Sequence, residues 1–195
     1  MKNKNSAASS VTLLVTTAMF AALTLLATSV LKIQTPTFGY IHLGDGLVLL
    51  AGIFLGPVFG GLAAGIGSAL SDFLGGYAIW VPGTFVIKYL TAAAASAVFR
   101  RISARSRRQP VLSVPALVTA GIAGEAVMIL GYFLYNILIV AFTAGSLNGP
   151  GLLSAAALSL AEIPFNAVQG AAGILIASLL APVLVRAHVM RLTLV

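Results

Sequence analysis

The chain contains no cysteine. Disulfides, thiolate metal sites and cysteine nucleophiles are therefore excluded. Charge is nearly as scarce: charged residues make up 8% of the 195 residues, against 59% hydrophobic ones. A soluble domain carries about 25% charged residues. Phosphate-binding loops of the Gly-x-x-x-x-Gly-Lys-Ser/Thr type are missing, as are His-Glu-x-x-His and Gly-x-Ser-x-Gly. An internal ATPase or a familiar hydrolytic site is thus excluded, and any ATP-driven motor must be another chain. What remains is a membrane protein, with sequence for about six helices of roughly 20 residues.

The hydropathy pattern predicts an all-α integral membrane protein forming a single domain over 1–195. Six spans are expected: Val11–Leu31, Leu43–Leu55, Phe59–Gly75, Gly83–Phe99, Val114–Phe142 and Leu152–Val185. The second is short and the last two are long, so tilt or a break is expected. Pro164 is a candidate break because it removes a helix hydrogen bond. The first span lacks a clear small-x-small cleavage site and reads as a helix of the final protein.

The net charge is +7. Nine of the 11 basic residues fall in three places: Lys2 and Lys4; Arg100, Arg101, Arg105, Arg107 and Arg108; Arg186 and Arg191. Six spans would put all three on one side, with the loop at 100–110 and both termini in the cytoplasm of a bacterial cell. The lipid bilayer accounts for this basicity better than nucleic acid does, since no reader module is present.

The chain has four acids: Asp45, Asp72, Glu125 and Glu162. All lie in or at the ends of expected spans, where ionisable groups are costly and mark function or pairing. Asp45, Asp72 and Lys88 are expected at similar depth near the outer surface. A pair or triad among them would lower the cost of burying each charge, with Asp72 and Lys88 as a structural ion pair or as direct ligand contacts. His42 and Asp45 stand three apart, too little for a metal site, and no metal or cofactor is expected. His42 lies in the first external loop and Tyr77 and Trp80 in the second, as ligand contacts or membrane-interface anchors.

Glu125, Tyr132 and Asn136 share one helical face by their spacing, and Glu162, Asn166 and Gln169 share another. Unpaired polar groups are expensive in lipid, so both faces should look inward. They predict either interhelical hydrogen bonds or a pocket. Candidate ligand residues are therefore His42, Asp45, Tyr77, Trp80, Lys88, Tyr132, Asn136, Asn166 and Gln169. Gly52, Gly56 and Gly60, and then Gly61, Gly65 and Ala69, recur at four-residue spacing and predict close helix packing. Ala18 and Ala22 give the first helix a small-residue face, for internal packing or for another protein's helix.

Three segments together, His42-Leu-Gly-Asp45, Gly67-Ser-Ala-Leu-Ser-Asp72, and Trp80-x-Pro82 followed by Lys88, resemble the S components of energy-coupling factor (ECF) transporters. The branch most similar is the riboflavin, pyridoxine and hydroxymethylpyrimidine type. The resemblance implies a non-catalytic subunit that binds a B vitamin or a precursor from outside. It also implies docking to a transmembrane coupling subunit that carries two ATPases, through Ala18 and Ala22. A self-sufficient proton-coupled carrier relaying through Asp72, Glu125 or Glu162 is the competing reading, and a membrane-embedded enzyme the third. Neither an inverted repeat nor a catalytic constellation supports these two.

Overall fold

The computed structural model describes residues 2–30, 32–35, 39–105 and 112–187. Six α-helices follow in order: α1 (Lys2–Val30), α2 (Asp45–Leu74), α3 (Val81–Arg105), α4 (Val114–Thr143), α5 (Gly149–Ser159) and α6 (Ile163–Arg186). A short antiparallel hairpin, β1 (Ile33–Gln34) and β2 (Tyr40–Ile41), bridges α1 and α2. Among the basic residues read as topology signals, Arg107, Arg108 and Arg191 lie outside the described residues.

Among the described residues, five helical segments are long and apolar enough to cross a membrane, with α5, a 3-10 turn and α6 forming the last, Gly149–Arg186. The expectation of six spans is therefore corrected. The expected second and third spans belong to one element, α2, whose single non-helical residue is Gly56 at φ 85°. One residue absorbs the whole break, because glycine reaches positive φ without a Cβ clash. Pro57 then opens the next turn, where a missing N–H costs little. Because α2 turns back at Gly56, the number of long helices does not by itself fix the side on which the termini lie.

α2 is not straight. An uninterrupted helix of its 30 residues would be about 45 Å long. Yet Tyr40, just before its start, bonds Asp72 near its end. A Cβ added at Gly60 would lie 2.4 Å from the Ala51 carbonyl oxygen. The arms on either side of Gly56 are thus folded against each other.

The core is built on α2, which packs against α1, α3 and α6. Leu49, Leu50, Ile53 and Phe54 of its first arm are almost wholly buried. The small-residue rows do what their spacing predicts. A Cβ at Gly52 would meet the Ala92 oxygen at 2.3 Å, and one at Gly67 would meet the Ala21 oxygen at 2.4 Å. These contacts bring α2 against α3 and α1 at backbone distance. α4 starts on a Ser113 cap that accepts from Ala116 N, and α5 on an Asn148 cap that accepts from Gly151 N. Pro115 and Pro150 occupy the first turns, where the lost N–H is tolerated.

α1 is the least enclosed helix. Ala18 and Ala22 are exposed, together with Val11, Leu14, Met19 and Leu26. Phe20, Thr24 and Thr28 form its buried stripe.

Candidate functional site

The helix ends converge on one cavity. It is reached by the last turn of α1, both ends of α2, the start of α3, the outer part of α4 and the start of α6. Arg100 lies at the opposite end of the bundle, its guanidinium against Gly56. The cavity encloses about 510 Å³ of empty space, including its open mouth.

Its floor is an ion pair. Lys88 Nζ bonds Asp45 Oδ1, and both side chains are fully buried. Gln169 Nε2 donates to Asp45 Oδ2 at 2.7 Å. Gln169 Oε1 accepts from the His42 backbone N–H at 2.9 Å. His42 Nδ1 in turn accepts from Gly44 N–H at 3.0 Å. Nδ1 is therefore unprotonated in this arrangement, and the ring proton sits on Nε2. Burial, and next the charge of Lys88, push the His42 imidazole down to about 3, so it stays neutral at physiological pH. Glycines make room for the floor: a Cβ at Gly173 would meet Asp45 Cβ at 2.8 Å and Glu125 Oε1 at 3.2 Å.

This floor corrects the expected pairing. Lys88 joins Asp45, not Asp72. Asp72 instead accepts from the Tyr40 hydroxyl. The cause is helix rotation: Asp45 opens α2 facing α3 and α6, whereas Asp72 faces the hairpin.

The wall is aromatic and polar. Trp80 and Tyr132 stand with ring centroids 6.2 Å apart. Tyr132 donates to the Thr84 hydroxyl at 3.2 Å, and Lys88 Nζ lies 5.2 Å from its ring centroid. Asn136 of α4 and Asn166 of α6 are buried and line the same cavity. Glu162, at the entrance to α6, lies 3.9 Å from where a Gly39 Cβ would stand.

The hairpin side closes the mouth. Tyr40 lies over Tyr77 with centroids 4.7 Å apart, and Lys32 Nζ sits 4.4 Å from the Tyr40 ring centroid. Lys32 also donates to the Ser71 carbonyl at 3.2 Å. Burial raises the Tyr40 hydroxyl's pKa and the negative charge of Asp72 raises it further, so the phenol stays a donor. Burial lowers the Lys32 pKa, with Asp72 pulling the other way.

Of the candidate ligand residues, His42, Trp80, Tyr132, Asn136, Asn166 and Gln169 line the cavity. Asp45 and Lys88 lie beneath it, tied to each other. Tyr77 lines an adjoining recess with Trp80 and Gln34. Sequence reasoning left out Tyr40, Thr28 and Thr84 as lining residues. Thr28 carried a usable signal, since it shares a face with Thr24 and Phe20 of α1. Tyr40 carried none, because a short hairpin has no periodicity.

Such an arrangement defines a class: a multi-pass membrane protein with a ligand cavity at one end of its helices. The family model for the ECF-type riboflavin transporter S component matches residues 8–186. The chain belongs to that family. The fold agrees with a solved structure, described as "Structure and mechanism of the S component of a bacterial ECF transporter". Its TM-score is 0.58 at 19% identity, over 95% of this chain and 98% of that one. An uncharacterized protein of Pyrococcus woesei is 42% identical over 62 residues, 31% of this chain and 41% of that protein. The chain thus spans about two fifths of that relative's length.

Family membership makes the protein an S component of the ECF type, with helical segments long and apolar enough to cross a membrane several times. Subunits of this family work with the energy-coupling partners of an ECF module.

Proposed function

We propose that the cavity between Trp80, Tyr132, Asn136 and Asn166 captures a small, planar, water-soluble B vitamin or vitamin precursor from outside the cell. The observation that carries this reading is the cavity's position. It lies at the end of α3 and α6 opposite to Arg100, Arg101 and Arg186, and basic ends favour the cytoplasm. Aromatic rings supply faces for stacking. The two asparagines supply amide donors and acceptors for the ligand's polar edge. The ion-paired floor holds these walls in place without spending a charge on the ligand.

Release inside follows docking to a transmembrane coupling subunit and two ATPases. The exposed face of α1 at Ala18 and Ala22 supports this docking surface, because small side chains let another helix approach closely. The test has two parts. Mass spectrometry of small molecules co-purifying with the detergent-solubilised protein should find a heterocyclic vitamin or precursor. Proteoliposomes holding this chain alone should bind that molecule without accumulating it, and uptake should need the coupling partners and ATP. Accumulation by the chain alone would overturn the reading in favour of a self-sufficient carrier.

A further inference from the structure

Every acid in the chain lies at the cavity end. Two are committed to the floor: Asp45 is paired with Lys88, and Glu125 lies beside it against Gly173. The other two line the cavity itself: Asp72, which accepts from the Tyr40 hydroxyl, and Glu162. Neither Lys nor Arg is among the described residues that line it, and His42 there is neutral. Lys88 is held by Asp45. Lys32 is held outside the lining by Ser71 and the Tyr40 ring.

Glu162 occupies the cap position of α6 yet makes no side-chain capping bond there. Its carboxylate lies among Gly39 and Trp80, facing the cavity. A second observation is independent of charge. Thr28 lines the same cavity and is 1% exposed, and its hydroxyl has no hydrogen-bond partner among the described residues. Buried hydroxyls are normally bonded, and this one lies where a ligand could supply the bond.

Two carboxyl side chains in the cavity wall set the ligand's sign. A cation or a strong N–H donor gains charge-assisted bonds there. An anionic group would face both acids, a like-charge juxtaposition that costs affinity. The neighbouring Trp80 and Tyr132 faces also favour cationic over anionic rings.

We propose that the site selects a heteroaromatic ligand bearing an amino or otherwise cationic group, whose N–H edge meets Glu162 and Asp72 while its ring lies against Trp80 and Tyr132. Phosphorylated forms of the same ring are excluded. The proposal rests on the vitamin-capture reading and narrows its substrate to amino-bearing heterocycles.

Matched probes test it by isothermal calorimetry on the detergent-solubilised protein. Pyridoxamine and pyridoxine differ by an ammonium against a hydroxyl, and pyridoxine phosphate adds an anion. A hydroxymethyl aminopyrimidine and riboflavin extend the set to a smaller and a larger ring. Amino-bearing probes should bind at least tenfold more tightly than their neutral counterparts, roughly one charge-assisted hydrogen bond. The phosphate should not bind. Glu162→Gln should abolish that preference, and Asp72→Asn should reduce it.

Pyridoxine or riboflavin binding as tightly as every amino-bearing probe would overturn the charge selection and leave vitamin capture standing. Charge selection is overturned in the same way if both carboxylate variants keep the preference. If Glu162→Gln fails to fold, the wild-type ranking decides. Failure of every probe to bind removes the vitamin-capture reading and this inference with it.

Discussion

The floor and the wall of the cavity are built from similar residues but differ in how their polar groups are satisfied. In the floor, Asp45, Lys88, Gln169, His42 and Gly44 bond in an unbroken series, with Glu125 beside it outside that series. In the wall, the Thr28 hydroxyl has no partner among the described residues, and the Glu162 carboxylate faces the cavity rather than capping its own helix. A buried polar group that is satisfied internally holds structure together; a hydroxyl such as that of Thr28 lies where a ligand could supply the bond. The floor should therefore govern stability, and the wall affinity.

Breaking the floor should have the largest effect. Lys88→Met leaves Asp45 buried without its counter-charge and should cost about 3–5 kcal/mol of stability. A double-mutant cycle between Lys88→Met and Asp45→Asn should show strong coupling. The corresponding cycle between Lys88→Met and Asp72→Asn should be closer to additive. Equal coupling in the two cycles would erase the distinction between floor and wall at Asp72.

Cutting the wall should do the reverse. Trp80→Ala and Asn166→Ala should weaken binding of the co-purified ligand by roughly 1–3 kcal/mol. The melting temperature without ligand should fall less than in Lys88→Met. Normal affinity in both variants would place the binding site elsewhere.

His42 belongs to both regions, since it bonds within the floor and lines the cavity, and pH separates its roles. Its folded pKa, about 3, lies below the unfolded value of roughly 6.5. Between those values the unfolded chain binds a proton that the folded one does not. The stability from neutral His42 is therefore complete above the unfolded pKa and is lost as pH falls toward the folded one. The slope is at most about 1.4 kcal/mol per pH unit. Melting curves at pH 7.5 and pH 5 should diverge less for His42→Asn than for wild type; an unchanged pH response would rule His42 out.

The smallest effect on the isolated protein should come from α1, outside both regions. Ala18→Leu and Ala22→Leu change exposed positions and should alter stability by less than about 0.5 kcal/mol. Ligand affinity should hold, while ATP-dependent uptake with the coupling partners falls. Undiminished uptake would dismiss this face as the docking surface.

Much of the site was legible in the one-dimensional pattern. Tyr132 and Asn136 stand four apart, and Asn166 and Gln169 three apart; each pair was assigned to an inward face, and all four line the cavity. The reason is geometric. At 3.6 residues per turn, spacing alone fixes which residues share a face. Lipid then leaves polar faces no choice but to turn inward. The membrane class followed equally from scarce charge and abundant apolar sequence.

Tertiary structure decided the partners. Sequence places Asp45, Asp72 and Lys88 at similar depth, but each residue turns the side chain by about 100° around the helix axis. Which acid meets Lys88 depends on how α2, α3 and α6 are rotated against one another, and the answer is Asp45. Tertiary structure also decided that Gly56 alone turns α2 back, so that Leu43–Leu55 and Phe59–Gly75 are arms of one helix. It likewise brought Tyr40 from a two-residue strand onto Asp72. A helical repeat carries its own direction in the sequence, whereas the meeting of two helices or a hairpin does not, because its geometry is set by packing between distant segments.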